Sequence, residues 1–170
     1  MREIITAILV ILAGAYPVRA DTVWDSGYHE IFEDDVYGEI WMYNDATADM
    51  FGGDVFKLEA FDTTAFDMLG GQMTDLRVHD NGIANLHTGD LNRLGITENG
   101  LLNLYAYDVA HHATGGYYDR GWIEGKYIIN DLYFKFDFVQ PDTFSHINII
   151  PEQATIFLLG LGGSFARKRR

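Results

Sequence analysis

The sequence predicts an all-β protein: a short parallel β-solenoid of about 18 residues per coil with an aromatic C-terminal β cap, and apolar helices only in the two terminal segments. Three observations carry this. Consecutive segments repeat every 18 residues without a gap. Apolar residues inside each unit stand two apart, which is the strand period. Turn-forming residues interrupt that alternation at two fixed places, so each unit reads as one coil stacked on the next.

The first segment, residues 1–20, has Arg2 in a short leading region, an apolar run from Ile4 to Ala15, and Val18-Arg19-Ala20 before Asp21. This three-part order is that of a secretory signal peptide, with cleavage expected between Ala20 and Asp21, and the run is short for a spanning helix. Residues 21–43 follow as an N-terminal cap or degenerate coil, because Ile40 and Met42 fall in register with Leu58 and Ala60.

The repeats occupy residues 44–109: "NDATADMFGGDVFKLEAF" from Asn44, "DTTAFDMLGGQMTDLRVH" from Asp62, "DNGIANLHTGDLNRLGIT" from Asp80 and "ENGLLNLYAYDV" from Glu98. One column holds Asp49, Asp67, Asn85 and Asn103, the next Met50, Met68, Leu86 and Leu104, and a third Asp54, Gln72, Asp90 and Asp108. Gly52-Gly53, Gly70-Gly71 and Thr88-Gly89 mark one corner; Asp62, Asp80-Asn81-Gly82 and Asn99-Gly100 mark the other. Helical repeats need longer units, and leucine-rich repeats a different spacing. The rival is an antiparallel meander, whose alternating strands do not require identical turn chemistry in every unit. Met68 and Leu86 are expected inside the coil and Thr64 outside it.

Residues 110–150 change character, with turn signals at Gly115-Gly116, Asn130-Asp131 and Pro141-Asp142 between aromatic strands such as Tyr133 to Phe138. An open solenoid end invites other chains, so this segment is expected to be the cap.

The final segment, residues 151–170, is apolar or small from Ala154 to Ala166 and ends in Arg167-Lys168-Arg169-Arg170. Basic residues directly after an apolar segment stay on the cytoplasmic side. Thirteen residues rise only about 20 Å as a helix against a hydrocarbon core of about 30 Å. A transient inner-membrane anchor is therefore expected.

Charge narrows the function classes. The whole chain carries −13, but residues 21–150 hold 23 acids against 6 bases, a net −17. Such a surface repels phosphate backbones, so no nucleic-acid partner is expected. With no cysteine there is no disulfide, thiolate metal site or thiol nucleophile. His111 and His112 are adjacent on a strand and point to opposite faces, which opposes a shared metal. The aspartate column lacks the glycine-rich nonapeptide of calcium-binding β-rolls, so no cofactor is expected and calcium binding is weak at most. Lys57, Arg77 and Arg93, the bases among the repeats, share no column on this reading, and no nucleophile–base–orienter set stands out. No enzyme is expected.

The last twenty residues resemble the PEP-CTERM sorting signal of proteins associated with bacterial exopolysaccharide. The order of Pro151-Glu152-Gln153, the apolar run and Arg167-Lys168-Arg169-Arg170 matches, with Gln153 in place of the second proline. The 18-residue β-solenoid repeats are similar to the repeat-bearing bodies of such proteins in planctomycete-like bacteria. The resemblance implies export by signal peptidase and recognition of Pro151 and Glu152 by an exosortase-like membrane protease. It also implies release to the cell surface or extracellular matrix, with extracellular polysaccharide as a further candidate partner. The alternative from another class is a secreted carbohydrate-binding or carbohydrate-active protein on the same scaffold, with Tyr105, Tyr107, Tyr117, Tyr118 and Trp122 available to stack sugars. Ice binding would need regular threonine ranks, and Thr63 and Thr64 have no counterparts in the next coil.

Overall fold

The computed structural model describes residues 20–114 and 120–151. Ten strands run through the coils: β1 Ala20–Trp24, β2 Tyr28–Ile31, β3 Val36–Met42, β4 Thr47–Met50, β5 Asp54–Ala60, β6 Ala65–Met68, β7 Gln72–Val78, β8 Ile83–Leu86, β9 Asp90–Ile96 and β10 Leu101–His112. Three more follow, β11 Trp122–Tyr127, β12 Tyr133–Phe138 and β13 Ile147–Ile150, with a 3-10 turn at Thr143–His146 before the last. Among the described residues no helix is long and apolar enough to cross a membrane. The expected apolar helices fall outside the described residues, except that Ala20 begins β1 and Pro151 follows β13.

Strands β1, β3, β5, β7 and β9 pair in parallel as one sheet, the front; β2, β4, β6, β8 and the first half of β10 pair in parallel as the back. The register is that of the repeat: Val55 meets Met73 and Met73 meets Leu91, while Met50 meets Met68 and Met68 meets Leu86. Parallel pairing between coils excludes the meander. Residues 20–31 already form a coil, with one residue moved between its corners. Thr22 pairs with Ile40, 18 residues on, but Tyr28 pairs with Thr47, 19 on.

Two corners make the coil turn. At the first, Asn44, Asp62, Asp80 and Glu98 all have φ between 52° and 59°, a left-handed conformation that Asn and Asp tolerate better than most residues. The Asp62 carboxylate accepts the Asn44 N–H at 2.9 Å, and Asp80 accepts the Asp62 N–H at 3.1 Å, so each acid satisfies a donor one coil back. At the second corner Gly71 has φ +82°, and a Cβ there would lie 2.5 Å from the Gly52 carbonyl oxygen. Glycine is required for coils to stack at this point.

The core lies between the sheets. Ile40, Leu58, Leu76 and Leu94 are fully buried on the front; Met50, Met68, Leu86 and Leu104 are fully buried on the back. Volume is balanced within two of the coils: Met42 accompanies Ala48, while Ala60 accompanies Phe66, all buried. Close packing demands such exchange of large for small. Thr64 departs from expectation. It is 1% exposed and its hydroxyl has no partner among the described residues. It occupies the last place of its corner, the place that Ala46, Gly82 and Gly100 fill in the other coils, where the chain has already turned inward.

The repeat also ends earlier than its spacing suggests. Where Gly53, Gly71 and Gly89 turn the chain, the next coil has Tyr107. Lacking the glycine, β10 runs straight on and pairs antiparallel with β11 from Ala106–Tyr127 to His112–Trp122. Asp108 thus leaves the Asp54, Gln72 and Asp90 column and sits at a bulge with φ 51°. β12 pairs antiparallel with β11 and joins β9 at Asp137–Arg93 and Phe138–Leu94, so front and back become one sheet across the C-terminal end. Tyr127, Phe134, Phe136 and Phe138 are buried beneath this hairpin, with successive ring centroids 4.7, 5.5 and 6.4 Å apart. β13 then adds in parallel to β10, from Leu102–Ile147 to Tyr105–Ile150.

Candidate functional site

The front sheet carries an ionic ladder on its outer surface. Glu39, Lys57, Asp75, Arg93 and Asp137 are successive register partners, as are Trp41, Glu59, Arg77 and Gly95 beside them. This corrects the expectation for the three bases: Lys57 and Arg93 stand in one column, and Arg77 in its neighbour. Lys57 Nζ lies 2.9 Å from Glu39 and 2.7 Å from Glu59; Asp75 lies 3.2 Å from Arg77 and 3.3 Å from Arg93. The Asp75 carboxylate is 1% exposed under those guanidinium groups. Partial desolvation pulls the Lys57 ammonium down, but its hydrogen bonds to Glu59 and Glu39 outweigh this and hold its pKa above the usual lysine value. Alternate rungs bear opposite charges that neutralise one another, an arrangement that orders the sheet.

The back sheet carries an amide ladder. Asn85 donates to Asp67, Asn103 donates to Asn85 at 2.8 Å, and Asn148 donates to Asn103 at 3.1 Å. Toward the N-terminal end the column continues as Asp49 and Glu30, both accepting the Tyr28 hydroxyl, which raises the Tyr28 phenol well above its usual value. These side chains hydrogen-bond along the solenoid, and no group of three or more His, Asp or Glu placed to hold a metal ion occurs among the described residues.

A further cluster of polar and aromatic side chains lies on the hairpin β11–β12. Of the six bases in residues 21–150, the three outside the ionic ladder are Arg120, Lys126 and Lys135. Glu124 receives the Tyr133 hydroxyl at 2.6 Å and lies 3.0 Å from His112 Nε2. Those two hydrogen bonds, Tyr133 first, hold the Glu124 carboxyl below its ordinary value, and Glu124 in turn raises the Tyr133 phenol. His112 stacks on Trp122 at 4.6 Å, and Lys135 Nζ is 5.0 Å from the centre of the same indole. His111 turns the other way and stacks on Phe144 at 3.8 Å, so the two imidazoles do serve opposite faces.

Beside this cluster the sheet opens. The last two residues of β12 pair with Arg93 and Leu94 in the middle of β9, and the gap ahead of that pairing forms a groove of about 740 Å³ between Asp90-Leu91 and Tyr133-Lys135. Gly70, Gly71 and Gly89 line its other side, together with Gln72. A second groove of about 450 Å³ shares Gly71 and Gln72 with it and continues past Phe51 and Asp54 to Glu33. The glycine corner, required for stacking, thus leaves a trough along the solenoid.

Of the aromatics proposed to stack sugars, Tyr105 stacks with His87 at 4.0 Å, Tyr107 donates to Asp131 with Lys126 Nζ 5.8 Å from its ring, and Trp122 is engaged as above. Tyr117 and Tyr118 lie outside the described residues, as do Glu152, Gln153, Arg167, Lys168, Arg169 and Arg170. Pro151 is exposed beyond β13, and Asp21 is the second residue of β1. The sequence reading named Tyr133 only as part of an aromatic strand and did not single out Glu124 or the groove, because only the splaying of β12 from β9 brings them together.

No protein-family model, curated protein or solved structure matches this chain.

Proposed function

We propose that the chain is a secreted, non-enzymatic β-solenoid protein, exported by its N-terminal segment and sorted to the cell surface or extracellular matrix by processing of its C-terminal tail. One observation supports this above others: the last strand ends at Ile150 and Pro151 is exposed immediately after it. The tail can be recognised and removed beyond that point without costing the body a strand. In this reading the terminal hairpin is the solenoid's cap, which covers the core before the chain reaches the membrane. Pro151 and Glu152 carry recognition by an exosortase-like protease, the apolar run anchors transiently, and the basic cluster remains cytoplasmic. At the other end Ala20 lies in β1, opposite Tyr37, so cleavage before Asp21 trims one residue from an edge strand.

The test is fractionation in a host that has the sorting enzyme, with mass spectrometry of the mature C-terminus. Pro151→Ala combined with Glu152→Ala should leave insertion intact and retain full-length protein in the membrane. Neutralising Arg167 to Arg170 should instead abolish retention and normal processing. Wild-type cleavage and surface delivery of the Pro151/Glu152 variant would overturn the reading.

A second reading, a carbohydrate-binding protein on the same scaffold, is favoured by the groove beside β12. There an aromatic residue, two amide residues and a carboxylate residue line one open slot.

A further inference from the structure

We propose that the groove between β9 and β12 is a binding site for an uncharged pyranose chain, with Tyr133 as its stacking platform; this rests on the carbohydrate-binding reading and gives it a location. Tyr133 is 61% exposed, yet its position is set, because its hydroxyl is tied to Glu124 and Glu124 to His112. A tyrosine held in place with its ring uncovered is a preorganised flat apolar surface, and its ordering cost is met before any ligand arrives. Sugar rings present an axial C–H face that packs on such a surface and a rim of hydroxyls that both donate and accept hydrogen bonds.

The surroundings supply the second half of that chemistry. Asp90 can accept and the Gln72 amide can do both, from residues lining the slot, while Lys135 lines it with its ammonium held over Trp122. Asn130 is steadied there by donating to Thr88 at 2.7 Å and accepting the Leu132 N–H at 3.1 Å.

Shape and charge select the subclass. The slot is open and runs into the neighbouring groove along the glycine corner, over rungs about 4.8 Å apart. That suits a linear chain lying along the solenoid better than a compact metabolite. With a net −17 on residues 21–150, and Glu33, Asp35 and Asp90 along the trough, uronate or sulfated chains are repelled.

The experiment is calorimetric titration of the full chain with a linear β-linked glucose hexamer, a uronic acid hexamer and a mixed-sequence extended peptide. The glucose hexamer should bind with submillimolar affinity and the other two should not. Tyr133→Ala should weaken binding about tenfold, roughly 1.4 kcal/mol, with circular dichroism unchanged. Tyr133→Phe keeps the ring but loses the tie to Glu124 that sets its position, so its affinity should fall between those of wild type and Tyr133→Ala. Tyr28→Ala, at the opposite end of the back sheet, should bind like wild type. Glucose-hexamer binding that survives Tyr133→Ala and Gln72→Ala would overturn the groove assignment while leaving carbohydrate binding standing. No binding of the neutral hexamer at millimolar concentration sinks both. Preferential uptake of the uronate or the peptide overturns the proposed ligand class.

Discussion

The coils and the terminal hairpin are built from similar materials and held by different means. In the coils each residue rests on its counterpart one coil away, so order is carried by columns: leucines on leucines, carboxylates on backbone N–H groups, Lys57 on Glu39. In the hairpin no residue has a counterpart, and order is carried by packing of unlike rings and by the Tyr133–Glu124–His112 chain. A column propagates a shape but ties up its own polar groups. The hairpin propagates nothing, and where it parts from β9 the groove opens beside it.

The strongest break in that contrast is a charge placed in a column. Met68→Asp or Leu86→Asp puts an unpaired carboxylate at a fully buried position between two coils, and a loss of about 4 kcal/mol or more is expected in denaturant melts. Asp at Thr64 is expected to be damaging too, since that site is 1% exposed. Thr64→Val, which removes a buried unpaired hydroxyl, should be neutral or stabilising by up to about 1 kcal/mol. Melting temperatures of the four variants check the order.

Next comes the corner. Gly71→Ala forces a side chain at φ +82° and brings a Cβ within 2.5 Å of the Gly52 oxygen, so a loss of about 2–3 kcal/mol is expected. A melt unchanged by this substitution would show that the coils do not stack as described. Asp75→Asn tests the ionic ladder. It strips the counter-charge from Arg77 and Arg93, both partly exposed, and about 1–3 kcal/mol should be lost, with the deficit shrinking as salt is raised.

The smallest effect is in pH. His79 stacks on Phe61 at 4.7 Å, and burial lowers its pKa from the ordinary 6.5, with Glu59 and Asp80 opposing that shift and Arg77 and Lys57 adding to it. Burial lowers His87 likewise. A depressed folded-state pKa means the unfolded chain binds the proton more tightly. Stability is therefore complete above about pH 6.5 and declines as pH falls from there through the folded-state values. His79→Phe should flatten part of that decline in melts between pH 7 and 5. An unaltered slope would show that the imidazole does not titrate unfavourably in the stack.

The alternation of Leu58 with Ala60 and of Phe66 with Met68 identified inward positions, and recurrence every 18 residues identified parallel stacking, because a column of like residues is meaningful only if coils repeat in register. The Asp49, Asp67, Asn85 and Asn103 column was legible for the same reason, as were both corners. Lys57 and Arg93 stand two repeats apart and could have been found by the same count; the intervening Asp75, of opposite sign, disguised the column as irregularity.

What the sequence by itself determined is the coil, since period, corner chemistry and facing are all local and repeat until Tyr107 stands where glycine is needed to turn. What only the tertiary structure decided is everything that depends on partners with no fixed offset. The chain never announces that β12 will rejoin β9 at Arg93, that Thr64 completes an inward corner, or that Tyr133 will rest against Glu124 beside Asp90. Repetition encodes a neighbour once and applies it to every coil, whereas each contact in the hairpin is specified only by how particular volumes and hydrogen-bonding groups meet in space.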